Sequence, residues 1–101
     1  MSNLIAKDYQ GFEKIKRTDE AGNEYWFARE LSPVLEYTKW ENFKKVIDRA
    51  MLACRNSGFD IKDHFPEVRK MVEIGSATTR QVVDYKLSRY ACYLIKNNSK
   101  N

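Results

Sequence analysis

Apolar residues recur at two periods along these 101 residues, and the switches between them divide the chain into elements. Glu13 to Thr18 reads as a strand, Asp19-Glu-Ala-Gly-Asn23 as turn chemistry, and Glu24-Tyr-Trp-Phe-Ala28 as a second, aromatic strand. Together they predict a β-hairpin with Gly22 or Asn23 in a left-handed conformation. Ala28 to Glu36 looks helical, interrupted by Ser32-Pro33, and a proline belongs near a helix's first turn. A longer helix follows, because Trp40, Phe43, Ile47, Ala50, Met51 and Cys54 fall on one face. Thr38 and Glu41 form a capping-box pattern before it, and Gly58 supplies its left-handed stop.

The period then drops to two. Val68, Lys70, Val72 and Ile74 alternate with Arg69, Met71 and Glu73, which predicts a strand. Pro66, Val68, Met71 and Val72 also suit a short helix starting at the proline, but the return arm Arg80 to Tyr85 carries Val82 and Val83 and needs a strand partner. Gly75 to Thr79 is the tip. Leu87, Tyr90, Ala91, Leu94 and Ile95 return to helical spacing as a final buried stripe, fraying into Asn97 to Asn101. Met1 to Tyr9 has no clear period and reads as a loose terminus or short helix. The order hairpin, helices, hairpin, helix predicts an α+β fold: one small domain of antiparallel hairpins packed on about three helices.

Composition supports a core. Hydrophobic residues make up 43% of the chain and two Trp, six Tyr and five Phe are present, so global disorder is not expected. The apolar runs are a few residues long, far short of the roughly 20 that span a bilayer, and no signal segment opens the chain. A cytoplasmic protein is the expectation. Cys54 and Cys92 lie in predicted helices among apolar neighbours and are expected as buried free thiols. One His and no Cys-x-x-Cys pair predict no metal site, and nothing indicates a cofactor.

Charge is unevenly spread. Residues 1–38 hold five Lys/Arg against seven Asp/Glu, and residues 39–101 hold thirteen against seven. The net charge of +4 therefore arises in the second segment, where a polyanion would be met.

Several patches, taken in order, resemble the N-terminal domain of the DNA-damage-inducible protein D family, a relative of the BRO-N domains of viral and phage regulators. They are Glu24-Tyr-Trp26 with Ala28-Arg29, Tyr37 with Lys39-Trp-Glu-Asn-Phe43, and Ala53-Cys54 with Asn56-Ser-Gly58. Asp63-His-Phe-Pro66, Val68-Arg-Lys-Met-Val72, and Asp84-Tyr85 with Leu87-Ser-Arg-Tyr-Ala-Cys-Tyr-Leu-Ile95 complete them. The resemblance covers roughly Phe12 to Asn97. It implies a loosely ordered residue 1–11 stretch, a BRO-N-like domain over 12–97 and a polar tail at 98–101. A second helical region of the family is expected to be absent here. The tip Ser76-Ala-Thr-Thr79 differs from the glycine-rich version of the family. The resemblance further implies an SOS-type regulator of a bacterial or phage-infected cell, without catalytic activity, whose domain binds nucleic acid, DNA being the expected partner.

The candidate chemistry is a binding surface. Lys39, Lys44, Lys45 and Arg49 on the long helix, Arg69, Lys70 and Arg80 on the second hairpin, and Lys86 and Arg89 just after it are the candidate phosphate contacts. Lys44 also pairs naturally with Asp48 one turn on, and alternate hairpin residues can simply face water. Tyr25, Trp26, Phe27, Trp40 and Tyr90 are expected to pack in the core rather than stack on single-stranded bases, whereas Tyr93 falls off the last stripe and is expected to be exposed. His64 beside Asp63 has no nucleophile or cofactor loop and reads as orienting the Phe65-Pro66 turn. A second reading stays open: an antirepressor-like interaction module docking on a recombinase filament, a repressor or itself through Tyr93, Tyr9 and Trp26.

Overall fold

The computed structural model describes residues 6–99, so Met1 to Ile5 and the last two residues of the tail lie outside the described residues. Helix α1 (Ala6–Lys14) leads into strand β1 (Arg17–Thr18), β2 (Glu24–Phe27) and, with no loop between, α2 (Ala28–Val34). Then come α3 (Trp40–Asn56), the single turn α4 (Ile61–His64), β3 (Glu67–Glu73), β4 (Thr79–Leu87) and α5 (Arg89–Asn98). The four strands form one antiparallel sheet in the order β1-β2-β4-β3. This is the α+β domain with antiparallel hairpins that the patterning predicts.

The core lies between one sheet face and the helices. Trp26 and Leu87 are directly opposed across β2 and β4, so they share a face. Both are fully buried, in one cluster with Phe43, Ile47, Ala50 and Cys54 of α3 and Ala91, Leu94 and Ile95 of α5. Phe12 of α1 stacks on Trp26 at 4.4 Å between centroids and accepts the indole N–H through its carbonyl at 2.9 Å. Cys54 and Cys92 are buried and unpaired, as expected, and burial pushes both thiols up from their ordinary value.

Four local expectations change. The first strand is only two residues long, because Glu13 and Lys14 close α1 instead. The N-cap of α3 is Lys39, with no side-chain cap bond, so the Thr38–Glu41 box does not form. Pro33 sits near the end of α2, not in its first turn; the helix stops one residue later and Glu36 turns left-handed at φ +67. Leu87 closes β4, and Ser88 caps α5 by accepting from the Ala91 amide at 3.0 Å. Gly22 and Gly58 take the left-handed positions assigned to them, each at φ +89.

Candidate nucleic-acid interface

The β3–β4 register decides which basic residues can act together. Val68 opposes Asp84, Lys70 opposes Val82 and Val72 opposes Arg80, while Arg69 opposes Val83 and Met71 opposes Gln81. Opposed residues of an antiparallel pair point the same way, and side chains alternate along each strand. Lys70, Arg80 and Lys86 therefore share one face with Tyr25 and Phe27; Phe27 stands opposite Lys86, and Arg17 opposite Tyr25. This is the face turned away from α3 and α5. Arg69 lies on the other face, with Tyr85, whose ring lies 6.0 Å from the Lys44 ammonium of α3.

The open face mixes cations with half-buried rings. The Lys70 ammonium stands 3.5 Å from the Phe27 centroid and the Arg17 guanidinium 5.1 Å from it, while Lys86 is 4.9 Å from the Tyr25 centroid. Cations over aromatic faces gain from the ring quadrupole. Two of these cations are also ion-paired. Arg17 grips Glu30 of α2 through Nε at 3.0 Å and Nη2 at 2.6 Å, which holds the Glu30 carboxyl below its usual range. Lys70 lies 2.8 Å from Asp84 Oδ2, and Asp84 is fully buried. That contact is an ion pair without the alignment of a hydrogen bond. The other oxygen, Oδ1, accepts from the Arg29 amide at 3.0 Å and the Tyr85 amide at 2.8 Å. Lys86 and Arg80 remain exposed on this face, without an acidic partner among the described residues.

The other candidates are scattered over the helix side. Lys39 and Lys45 are exposed on α3, Lys44 is paired with Asp48 at 2.7 Å, and Arg49 donates to the Asn98 carbonyl of α5 at 3.2 Å. Arg69 pairs with Glu67 at 3.3 Å. Arg89 makes two bonds to Glu24, at 2.6 and 3.0 Å, which lower that carboxyl's affinity for protons, and its guanidinium lies over Phe12 and Trp26. The nine candidates thus divide between opposite faces of the sheet and do not make one patch.

Patterning did not single out Arg17 or Asp84, and it assigned Tyr25 and Phe27 to the core, whereas the register places both half-buried on the open face. Asp84 did carry a signal: a carboxylate inside the apolar run Val82-Val83-Asp84-Tyr85, one register step from Lys70. His64 behaves as an orienting group, with Nδ1 2.7 Å from the Ser88 hydroxyl that caps α5. Phe59, His64, Tyr90 and Tyr93 adjoin one another on the helix side, and Tyr93 is 61% exposed as the pattern predicts. Trp26, in contrast, is wholly buried and offers nothing to a partner, and the Tyr9 side chain lies outside the described ones. Among the described residues, no three His, Cys, Asp or Glu side chains are grouped to hold a metal, and no helix is long and apolar enough to cross a membrane.

Over 90 residues, 89% of this chain, the sequence is 48% identical to DNA damage-inducible protein D of Escherichia coli K12. The chain spans about a third of that relative's length, the aligned part covering 33% of it. No solved structure matches. Residues 14–101 match the BRO family, N-terminal domain, and with nearly nine-tenths of its length matched the chain belongs to that family.

Proposed function

We propose that this domain is a non-catalytic nucleic-acid-binding module of a DNA-damage-inducible regulator, and that it meets phosphates with the open face of its sheet. The name of the 48% identical relative supports the damage-response setting. The observation that carries the binding surface is the register, which gathers Lys70, Arg80 and Lys86 on the face turned away from α3 and α5. Lys70 is already committed to Asp84 and Arg17 to Glu30, so Arg80 and Lys86 do the phosphate work. Ser76 and Thr78 at the tip add neutral donors, whereas Thr79, opposite Glu73, lies on the other face. Each phosphate neutralised releases counterions, so affinity falls with salt.

The test is fluorescence anisotropy with short duplex and single-stranded DNA across a salt series. Arg80→Glu with Lys86→Glu is expected to weaken binding and to lower the salt slope by about 0.9 per lost duplex phosphate contact. Lys39→Glu with Lys45→Glu, on the opposite side, is expected to change it far less. Equal losses from both pairs, or no binding by the folded wild type, would remove this reading.

A second reading draws on a different feature. Tyr93 stacks at 6.5 Å on Tyr90, which neighbours the half-exposed Phe59 and His64. Such an aromatic patch suits docking on a protein such as a recombinase filament or a repressor. Binding of that kind responds little to salt and falls on Tyr93→Ala instead.

A further inference from the structure

We infer that two copies of this chain pair through the outer edge of β3, around a two-fold axis at Met71, into one continuous antiparallel sheet. β3 is an edge strand. The hydrogen bonds at the two ends of the hairpin, Lys86 N to the Pro66 carbonyl at 3.0 Å and Ile74 N to the Thr78 carbonyl at 2.9 Å, fix the phase of the ladder. They show that Val68, Lys70, Val72 and Ile74 aim their backbone groups at β4. Arg69, Met71 and Glu73 aim theirs outward, where no strand of the described residues receives them. Met71 is 62% exposed and Ile74 45%.

Two identical edges related by a two-fold axis pair antiparallel, and the sequence of the edge selects the register. Three symmetric registers use five or more residues of the Glu67–Glu73 strand. Centring on Lys70 sets Glu67 against Glu73 and Lys70 against itself, and centring on Arg69 sets Arg69 against itself. Like charges directly opposite are unfavourable. Centring on Met71 sets Arg69 against Glu73 of the second copy, twice, with the two Met71 side chains between them. All three pairs then use the outward-facing amides and carbonyls. On the open face the same register places Val68 against Ile74 and Lys70 against Val72. Glu73 has no ion-pair partner among the described residues, and the exposed Arg69–Glu67 contact is long at 3.3 Å. The charge pattern of this edge is therefore complementary to itself in one register only. Arg80 and Lys86 lie on strand β4 and are not used by the pairing.

Sedimentation of the folded chain over a concentration series tests the pairing. The wild type is expected to move from monomer to dimer. Arg69→Glu and Glu73→Arg are each expected to raise the dissociation constant by about tenfold, since two attractive cross-strand pairs become repulsive. The double exchange, Arg69→Glu with Glu73→Arg, is expected to restore it. Met71→Cys places its own copies opposite each other at about 5.5 Å between Cα atoms, within disulfide range, and is expected to cross-link on mild oxidation. Arg80→Cys, away from the axis, is not. A wild type that stays monomeric at its highest soluble concentration overturns the inference. So does a dimer indifferent to Arg69→Glu that gives no Met71→Cys cross-link.

Discussion

The two halves of the β3–β4 hairpin share one ladder but live in different surroundings. At the base, Tyr85 and Leu87 enter the core, Asp84 is fully buried, and Lys70 closes over it. Toward the tip, every residue from 73 to 81 is exposed on both faces of the ribbon, and the molecule is 47 Å long against 30 and 29 Å across. The base is held by burial and by one tightly partnered carboxylate. The tip is held by its own backbone hydrogen bonds, including a turn with Gly75 and Ala77 at positive φ. One hairpin thus divides into an anchor that sets the fold and an arm whose residues are free to serve a partner. Basic residues of similar appearance in sequence differ in their surroundings: Lys70 is paired with a buried carboxylate, whereas Arg80 is exposed without an acidic partner among the described residues.

The largest effects are expected at the anchor. Lys70→Ala leaves Asp84 buried without its counter-charge, and since Lys70 is itself partly exposed the expected loss is about 3 kcal/mol. In a domain this size that lowers Tm by roughly 12–20 °C, which a thermal melt reads directly. Lys70→Met with Asp84→Asn removes the charge along with its partner, keeps a side-chain oxygen for the Arg29 and Tyr85 amides, and is expected to cost less than Lys70→Ala alone. Below this stands Ser88→Ala, at the junction of β4 and α5. It deletes the cap of the Ala91 amide and the partner of His64, at about 1 kcal/mol in chemical denaturation.

The arm is expected to respond much less. Ile74→Ser should shift stability by no more than about 0.5 kcal/mol, and hydrogen exchange should show fast amides in 75–79 against slow ones in 82–87. Equal protection at tip and base would erase the distinction between the halves. The smallest effect is a titration. Arg17 holds the Glu30 carboxyl below its ordinary value, so this contact stabilises the fold fully above the unfolded-state carboxylate value. The contribution is lost as pH falls through the lower folded-state value. The pair is partly exposed, so Glu30→Gln should lose only a small stabilisation at neutral pH and converge on the wild type in acid.

Elements with a strong period were legible before the structure: α3, the β3–β4 hairpin, the stop at Gly58 and the exposed Tyr93. Local rules failed where a distant part of the chain took over. The Thr38–Glu41 box is a short-range signal, but Lys39 is the last extended residue and α3 starts at Trp40, one position too late for that box. Leu87 fits the helical stripe of α5 in spacing, yet pairing with Trp26 holds it in β4. The short α4 rests on a cap within the sequence, Asp60 accepting from the Lys62 amide at 3.0 Å, and is too brief to leave a period. The candidate surface was legible only as a set of residue types. Whether two lysines share a face depends on strand register, and whether a lysine is free depends on a carboxylate fourteen residues away, as with Lys70 and Asp84.

Helix α2 has one further consequence, for the folding of the chain. Its N-terminal residue follows β2 directly, Phe27 gives it no side-chain cap, and the seven-residue length is too short to stand alone. The acceptor for its Arg29 amide is Asp84, 55 positions later, and the Arg29 side chain reaches the Val83 carbonyl at 2.8 Å. The first third of the chain therefore cannot complete its helix until β4 has docked. Unfolding should be a single transition in which helix signal near residues 28–34 and hairpin signal near 80–87 disappear together.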